Sequence, residues 1–201
     1  MTLMDYFIDG GPVMYLILAV SVLGLAVFIE RFVYLRNFLI CGRTIMNSIM
    51  AGAGVYLADE AVAQCDNNPG PASRIIKAGV DASGGPADLI ENSMESAAKK
   101  EFAGLNRFVP VLATVSSVST LLGLLGSVLG LMAAGSAGPS GMAGGINRAL
   151  VTTAFGLCVA IPAIAGYNYI TAKIDRVLAE IEFWTAEFVK ISGKQPEKLK
   201  W

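Results

Sequence analysis

Charged residues are absent from three long intervals of this chain, Gly10–Ile29, Phe108–Asn147 and Ala149–Ala172, and these intervals divide it. An α-helix rises about 1.5 Å per residue, so about 20 apolar residues cross a hydrocarbon core about 30 Å thick. The first interval predicts one spanning helix over 10–30. Its apolar part, Val13–Ile29, has the length of a signal-peptide core but the wrong flanks. Asp5 and Asp9 precede it and Glu30, Arg31 and Arg36 follow it, the reverse of a basic start and a small-residue cleavage site. The second interval is too long for one crossing, and Gly135–Gly145, dense in glycine with one proline, predicts a turn. Spans over 109–134 and 146–170 follow, joined by a short hairpin over 135–145.

Between the first and second spans, residues 31–108 show no sustained strand-like alternation and are rich in Ala, with Lys and Glu that the charge-free intervals lack, which favours helices. Breakers at Asp66–Pro71 and Ser83–Pro86 give the order helix, short helix, long helix. The long helix, starting near Pro86, meets no breaker before the second span and is expected to run on continuously. In the segment 171–201, Ile174, Leu178, Ile181, Trp184 and Phe188 recur at helical spacing, so this face is expected to pack on a neighbouring helix. The predicted class is an all-α integral membrane protein with three transmembrane helices and long cytoplasmic helical extensions.

Lys and Arg set the orientation. None precedes the first span, residues 1–9 being acidic, and the hairpin region has only Arg148 at its end. The segment after the first span and the tail carry the remainder. By the positive-inside rule both lie in the cytoplasm and the N-terminus outside.

Composition narrows the chemistry. The chain has 15 basic and 16 acidic residues, so it offers no overall basic field and nucleic acid is not an expected partner. It has no histidine, and its three cysteines, Cys41, Cys65 and Cys158, lack zinc-site spacing. No nucleophile–histidine pair is available, the spans hold no carboxylate, and no phosphate-cradling glycine motif occurs. An enzyme, a metal centre or a bound cofactor is therefore not expected.

The spans do carry mild polarity. On the second, Thr114, Ser117, Thr120, Leu124, Ser127 and Leu131 follow steps of three or four and gather four hydroxyls on one side. On the third, Ala149, Thr153, Gly156, Ala160 and Ala163 form a small-residue stripe, with Leu150, Leu157, Ile161 and Ile164 facing elsewhere. Such positions commonly serve close helix packing. Gly126 and Gly130 form a G-x-x-x-G packing signal, and Pro162 predicts a local kink. Two adjacent helices presenting hydroxyls without charge also suit a wall beside a charge that belongs to another molecule.

At Leu122–Met132, Gly145–Ala163 and Tyr167-Asn168 the sequence resembles the ExbB/TolQ/MotA family of ion-driven motor subunits, in its three-helix ExbB and TolQ branch. The resemblance implies a pore-forming stator subunit in the bacterial inner membrane, a homopentamer around two copies of a single-span ExbD/TolR-like partner. The resemblance further implies that this partner's membrane aspartate carries the ion, expected to be a proton, for envelope transport or maintenance. The family's pore threonines fall on Ser127 and Thr153. Its glutamate near the ion entrance is Arg148 here, and its proline before the G-L-x-G-T stretch is Thr120. The expected pore lining is Thr114, Ser117, Thr120, Leu124, Ser127, Leu131, Arg148, Thr153, Gly156 and Ala160. A non-conducting membrane scaffold of the same fold is the competing reading, and Arg148 is its main argument.

Overall fold

A computed structural model describes residues 10–51, 63, 65–67, 70–136 and 138–193. The acidic N-terminal residues and the last lysines, used above for orientation, lie outside these. The helices are α1 (Pro12–Ala51), α2 (Pro71–Asp81), α3 (Ala87–Asn106), α4 (Val109–Ser136) and α5 (Gly138–Gly193). Three regions are long and apolar enough to cross a membrane, within Pro12–Ile49, Ala87–Ser136 and Gly141–Lys190. The all-helical membrane class expected from the charge-free intervals is therefore what forms.

Contacts divide the chain into two units. The first comprises residues 1–30 and 108–171 and contains the apolar parts of α1, α4 and α5. Its α1 packs through Val13, Met14 and Ile17, against which Leu122, Phe155 and Val159 lie. Large side chains on the other faces, such as Leu16, Val22 and Leu25 on α1 and Leu121 and Leu129 on α4, are exposed. Outward apolar faces of this kind suit hydrocarbon, where burying them inside the fold brings no advantage.

The second unit comprises residues 31–107 and 172–201 and obeys aqueous rules. Helix α2 is amphipathic, with Ala72, Ile75, Ile76 and Val80 buried and Arg74 and Lys77 turned outward. It begins at Pro71, whose missing N–H costs nothing in a first turn. Glycines let bulky residues in: a Cβ at Gly79 would lie 2.5 Å from Met94 Sδ, and one at Gly42 2.7 Å from Trp184 Cζ3. Of the stripe expected on the tail helix, Ile174, Ile181, Trp184 and Phe188 are buried and Leu178 is half-buried. The ion pairs Arg43–Glu180, Arg74–Glu101 and Lys77–Asp66 join separate segments. At least one partner of each pair stands largely in solvent, and solvent-screened pairs of this kind are worth about 0–1 kcal/mol each.

Arg31 is buried, stacks 5.3 Å from the Tyr34 ring centroid, and donates from Nη1 to Gly104 O at 2.9 Å. It thereby caps the carbonyl end of α3, the negative end of the helix dipole.

Two local expectations are revised. The long helix from Pro86 does not run continuously into the second span. Helix α3 ends at Asn106, Phe108 takes φ 77°, and α4 starts at Val109. Pro110 explains the break: it has no N–H for the Asn106 carbonyl, and its ring would collide with that carbonyl in an unbroken helix. The glycine-rich turn is also narrower than 135–145. Helix α4 reaches Ser136, Gly138 takes φ 67°, and α5 is helical from there on. Glycine supplies the left-handed step, and Pro139 suits a first helical turn. Helix α5 then continues through Pro162 to Gly193, so the third span and the tail helix are one element.

Candidate functional site

Within the first unit, α4 and α5 meet along a seam of residues almost without side chains. Gly123, Gly126 and Gly130 are all buried. A Cβ at Gly130 would lie 2.8 Å from Ala149 N, one at Gly126 2.5 Å from Thr152 Oγ1, and one at Gly156 2.7 Å from Ser119 O. The backbones therefore approach closely at steps of three and four, which is what the G-x-x-x-G signal codes for.

Gly156 and Ala160, expected on the pore wall, belong to this seam. Gly156 is buried against Ser119 and Gly123, and Ala160 is 4% exposed with its carbonyl accepting from Ser116 Oγ at 3.0 Å. Their small size serves the approach of α4, and they leave no side-chain surface for a lumen. Thr152 and Ser119, which the periodicity did not single out, are also buried there. Thr152 Oγ1 donates to its own helix, to Arg148 O at 3.0 Å or Ala149 O at 3.1 Å. Ser119 Oγ has no hydrogen-bond partner among the described residues. The signal that would have found Thr152 is its helical spacing with Ala149 and Gly156.

Ser127 and Thr153 come together at the edge of the seam. Their hydroxyls hydrogen-bond each other, and both are half-buried. Ser127 Oγ also lies 3.2 Å from Ala149 O across the seam, and Thr153 Oγ1 lies 3.4 Å from Gly123 O. Each hydroxyl has one proton and more acceptors within reach than it can serve at once, so the pair can exchange donors without moving either helix.

Thr114, Ser117, Thr120, Leu124 and Leu131 are exposed along one side of α4. The three hydroxyls each donate to a carbonyl one turn back, Pro110 O, Ala113 O and Ser116 O, all at 3.1 Å. With their protons engaged, they offer oxygen lone pairs outward. Such a surface accepts a hydrogen bond from a protonated carboxyl group or a hydrated cation but holds no charge of its own. The apolar continuation through Leu124 and Leu131, 59% and 55% exposed, offers nothing to a charge.

Arg148 is half-buried in the same unit, and its guanidinium occupies the space beside Gly11, where any Cβ would collide with it. Gly11 has φ 68° and directly precedes α1. No group of His, Cys, Asp or Glu among the described residues is arranged to hold a metal ion. The apolar stretches of α1, α4 and α5 contain no Asp or Glu.

Known proteins resemble this chain over most of its length. Residues 67–183 match the MotA/TolQ/ExbB proton channel family. An ExbB homolog of Methanothermobacter thermautotrophicus, named for biopolymer transport, is 32% identical over 90% of this chain and 67% of its own length. The Tol-Pal system protein TolQ of Haemophilus influenzae is 29% identical over 96% of this chain and 94% of its own length. The matched region includes both helices of the glycine seam and the hydroxyl-bearing side of α4, and the chain belongs to the MotA/TolQ/ExbB proton channel family.

Proposed function

We propose that this chain is the pore-forming stator subunit of a proton-driven motor complex in the bacterial inner membrane, with its N-terminus outside. Five copies surround two copies of a single-span ExbD/TolR-like partner, and the ion gradient becomes mechanical work by that partner for envelope transport or maintenance. One observation carries the reading. The side of α4 bearing Thr114, Ser117 and Thr120 is exposed and polar, yet the spans contain no acid able to take up and release a proton. The titrating group must then come from another molecule. A proton arriving from outside neutralises the partner's aspartate, and the uncharged helix turns past Leu124 and Leu131. The Ser127–Thr153 pair, able to donate or accept, holds the carboxyl in either state. Each charge crossing 100 mV supplies about 2.3 kcal/mol, so a sizeable step needs several ions.

The test is proton flux in vesicles holding the chain and its partner. Thr153→Ala should abolish flux and work while the subunit count of the complex stays the same. Undiminished flux in that variant would remove the pair from the ion path.

A scaffold that keeps the fold without conducting is the second reading, and Arg148 favours it, since a fixed positive charge near an ion entrance repels cations. Its guanidinium packs on Gly11 at the start of α1, a contact that serves helix packing whether or not ions pass. Wild-type vesicles without flux, which gain none on Arg148→Glu, would establish the scaffold.

A further inference from the structure

In the first unit a pocket of about 630 Å³ lies between α1, α4 and α5. Buried residues such as Gly24, Val115 and Gly166 form its depth, and exposed ones such as Leu25, Cys158 and Pro162 form its mouth. The glycines explain the shape. A Cβ at Gly24 would lie 2.8 Å from Val115 Cγ1, and one at Gly166 2.9 Å from Phe28 Cδ2, so α1 approaches α4 and α5 closely at these two levels. Ser21, Ala163 and Ala165, also in the lining, are too short to fill the space that remains.

The place of the pocket in the spans identifies what fills it. Its α1 part ends at Phe28 and its α5 part at Tyr169, just before Glu30 and Lys173 close the charge-free intervals. From Cys158 to Tyr169 a helix rises about 16 Å, and one leaflet of hydrocarbon is about 15 Å deep. The pocket therefore runs the depth of one leaflet. On α4, Leu112 and Val115 stand about 200° round the helix from Thr114 and Ser117, so the pocket lies on the opposite side from the hydroxyls. Water has little to hold it there. A buried water takes about two to four polar partners, while the lining has polar side chains only at Ser21, Cys158 and Tyr169, the last two about three turns apart, and none is charged. Left empty, the walls would forfeit their dispersion contacts beside a liquid of matching chemistry.

We propose that this pocket binds one acyl chain of a membrane phospholipid, which lies along α5 with its methyl end towards Cys158 and its ester end towards Tyr169. The chain packs on α5 at Pro162, where the helix has lost the backbone hydrogen bond to the Cys158 carbonyl, and it ties α1 to α5. Its binding is indifferent to whether the assembly conducts.

Phosphatidylglycerol carrying a diazirine midway along one acyl chain, in vesicles holding the full chain, tests this. Illumination is expected to label the pocket residues of α1 and α5 several-fold more than Val22 and Leu23, which are exposed at the same depth outside the pocket. Ala163→Phe, on the half-buried wall, and Ala165→Phe, at the exposed mouth, should remove the excess and leave Val22 and Leu23 labelled as before. Equal labelling inside and outside the pocket, or an excess that survives both substitutions, would overturn the proposal. So would pocket residues labelled less than Val22 and Leu23, the pattern produced when another protein surface covers the mouth.

Discussion

Single residues in this protein behave according to the medium that surrounds them. Cys65 is buried in the second unit, and burial, with Asp66 nearby, pushes its thiol from 9.0 up to about 11, Lys77 opposing. An unfolded chain gives up this proton near pH 9.0, while the folded protein keeps it until about 11. Between those values the unfolded state binds fewer protons, so stability falls as pH rises. Melting temperatures measured across that window should drop more steeply for the wild type than for Cys65→Ala. In the membrane unit the relevant residues are hydroxyls, and their consequences are set by where their protons go. The side chains of Thr114, Ser117 and Thr120 were legible as a stripe because helical spacing puts them on one side. Their shared habit of donating one turn back, which leaves acceptors outward, appears only with the geometry. Arg31 is the reverse case: in the sequence it marks orientation, and the fold gives it a second task as the cap of α3.

At the level of elements, glycines decide how close helices come. A side chain at Gly126 would meet Thr152 at 2.5 Å, and both helices of the seam would have to separate. Gly126→Leu should lower stability by about 1–3 kcal/mol, the usual cost of overpacking. Gly104 makes a useful contrast, because a Cβ there meets nothing within 4 Å in a helical position. Gly104→Ala should raise stability by about 0.5–1 kcal/mol through helix propensity. Thermal unfolding in detergent distinguishes the two. The break between α3 and α4 makes a third expectation. Phe108 has φ 77°, where a β-branched residue fits worst. Phe108→Val should melt below Phe108→Gly, by an amount on the order of 1 kcal/mol. The spans and the order of the remaining helices could be read from hydrophobic runs and breakers. The helix starting at Pro86 could not be ended correctly, because a proline acts on the carbonyl four residues before it. The turn at Gly138 was likewise overestimated, since glycine permits a turn without requiring one.

For the molecule as a whole, the proposed function makes conduction a property of an assembly. Vesicles with this chain alone should pass no protons, and replacing the partner's membrane aspartate by asparagine should silence the complete assembly as thoroughly as Thr153→Ala does. Flux measured against vesicles holding the unmodified pair checks both. The sequence by itself determined the three crossings, the helical class and the family, because bilayer thickness converts a run of uncharged residues directly into a span. It also determined that no acid lies in those spans. Tertiary structure alone decided which small and polar residues face the neighbouring helix and which face outward. Gly156 and Ala160 lie in the seam, Thr114 and Thr120 outside it, and Ser127 meets Thr153 at its edge. The physical reason is that a stripe of small and hydroxyl residues serves close packing and a polar wall equally well. Only the angle at which the second helix arrives, set here by how near the glycine backbones can come, assigns each position to one use.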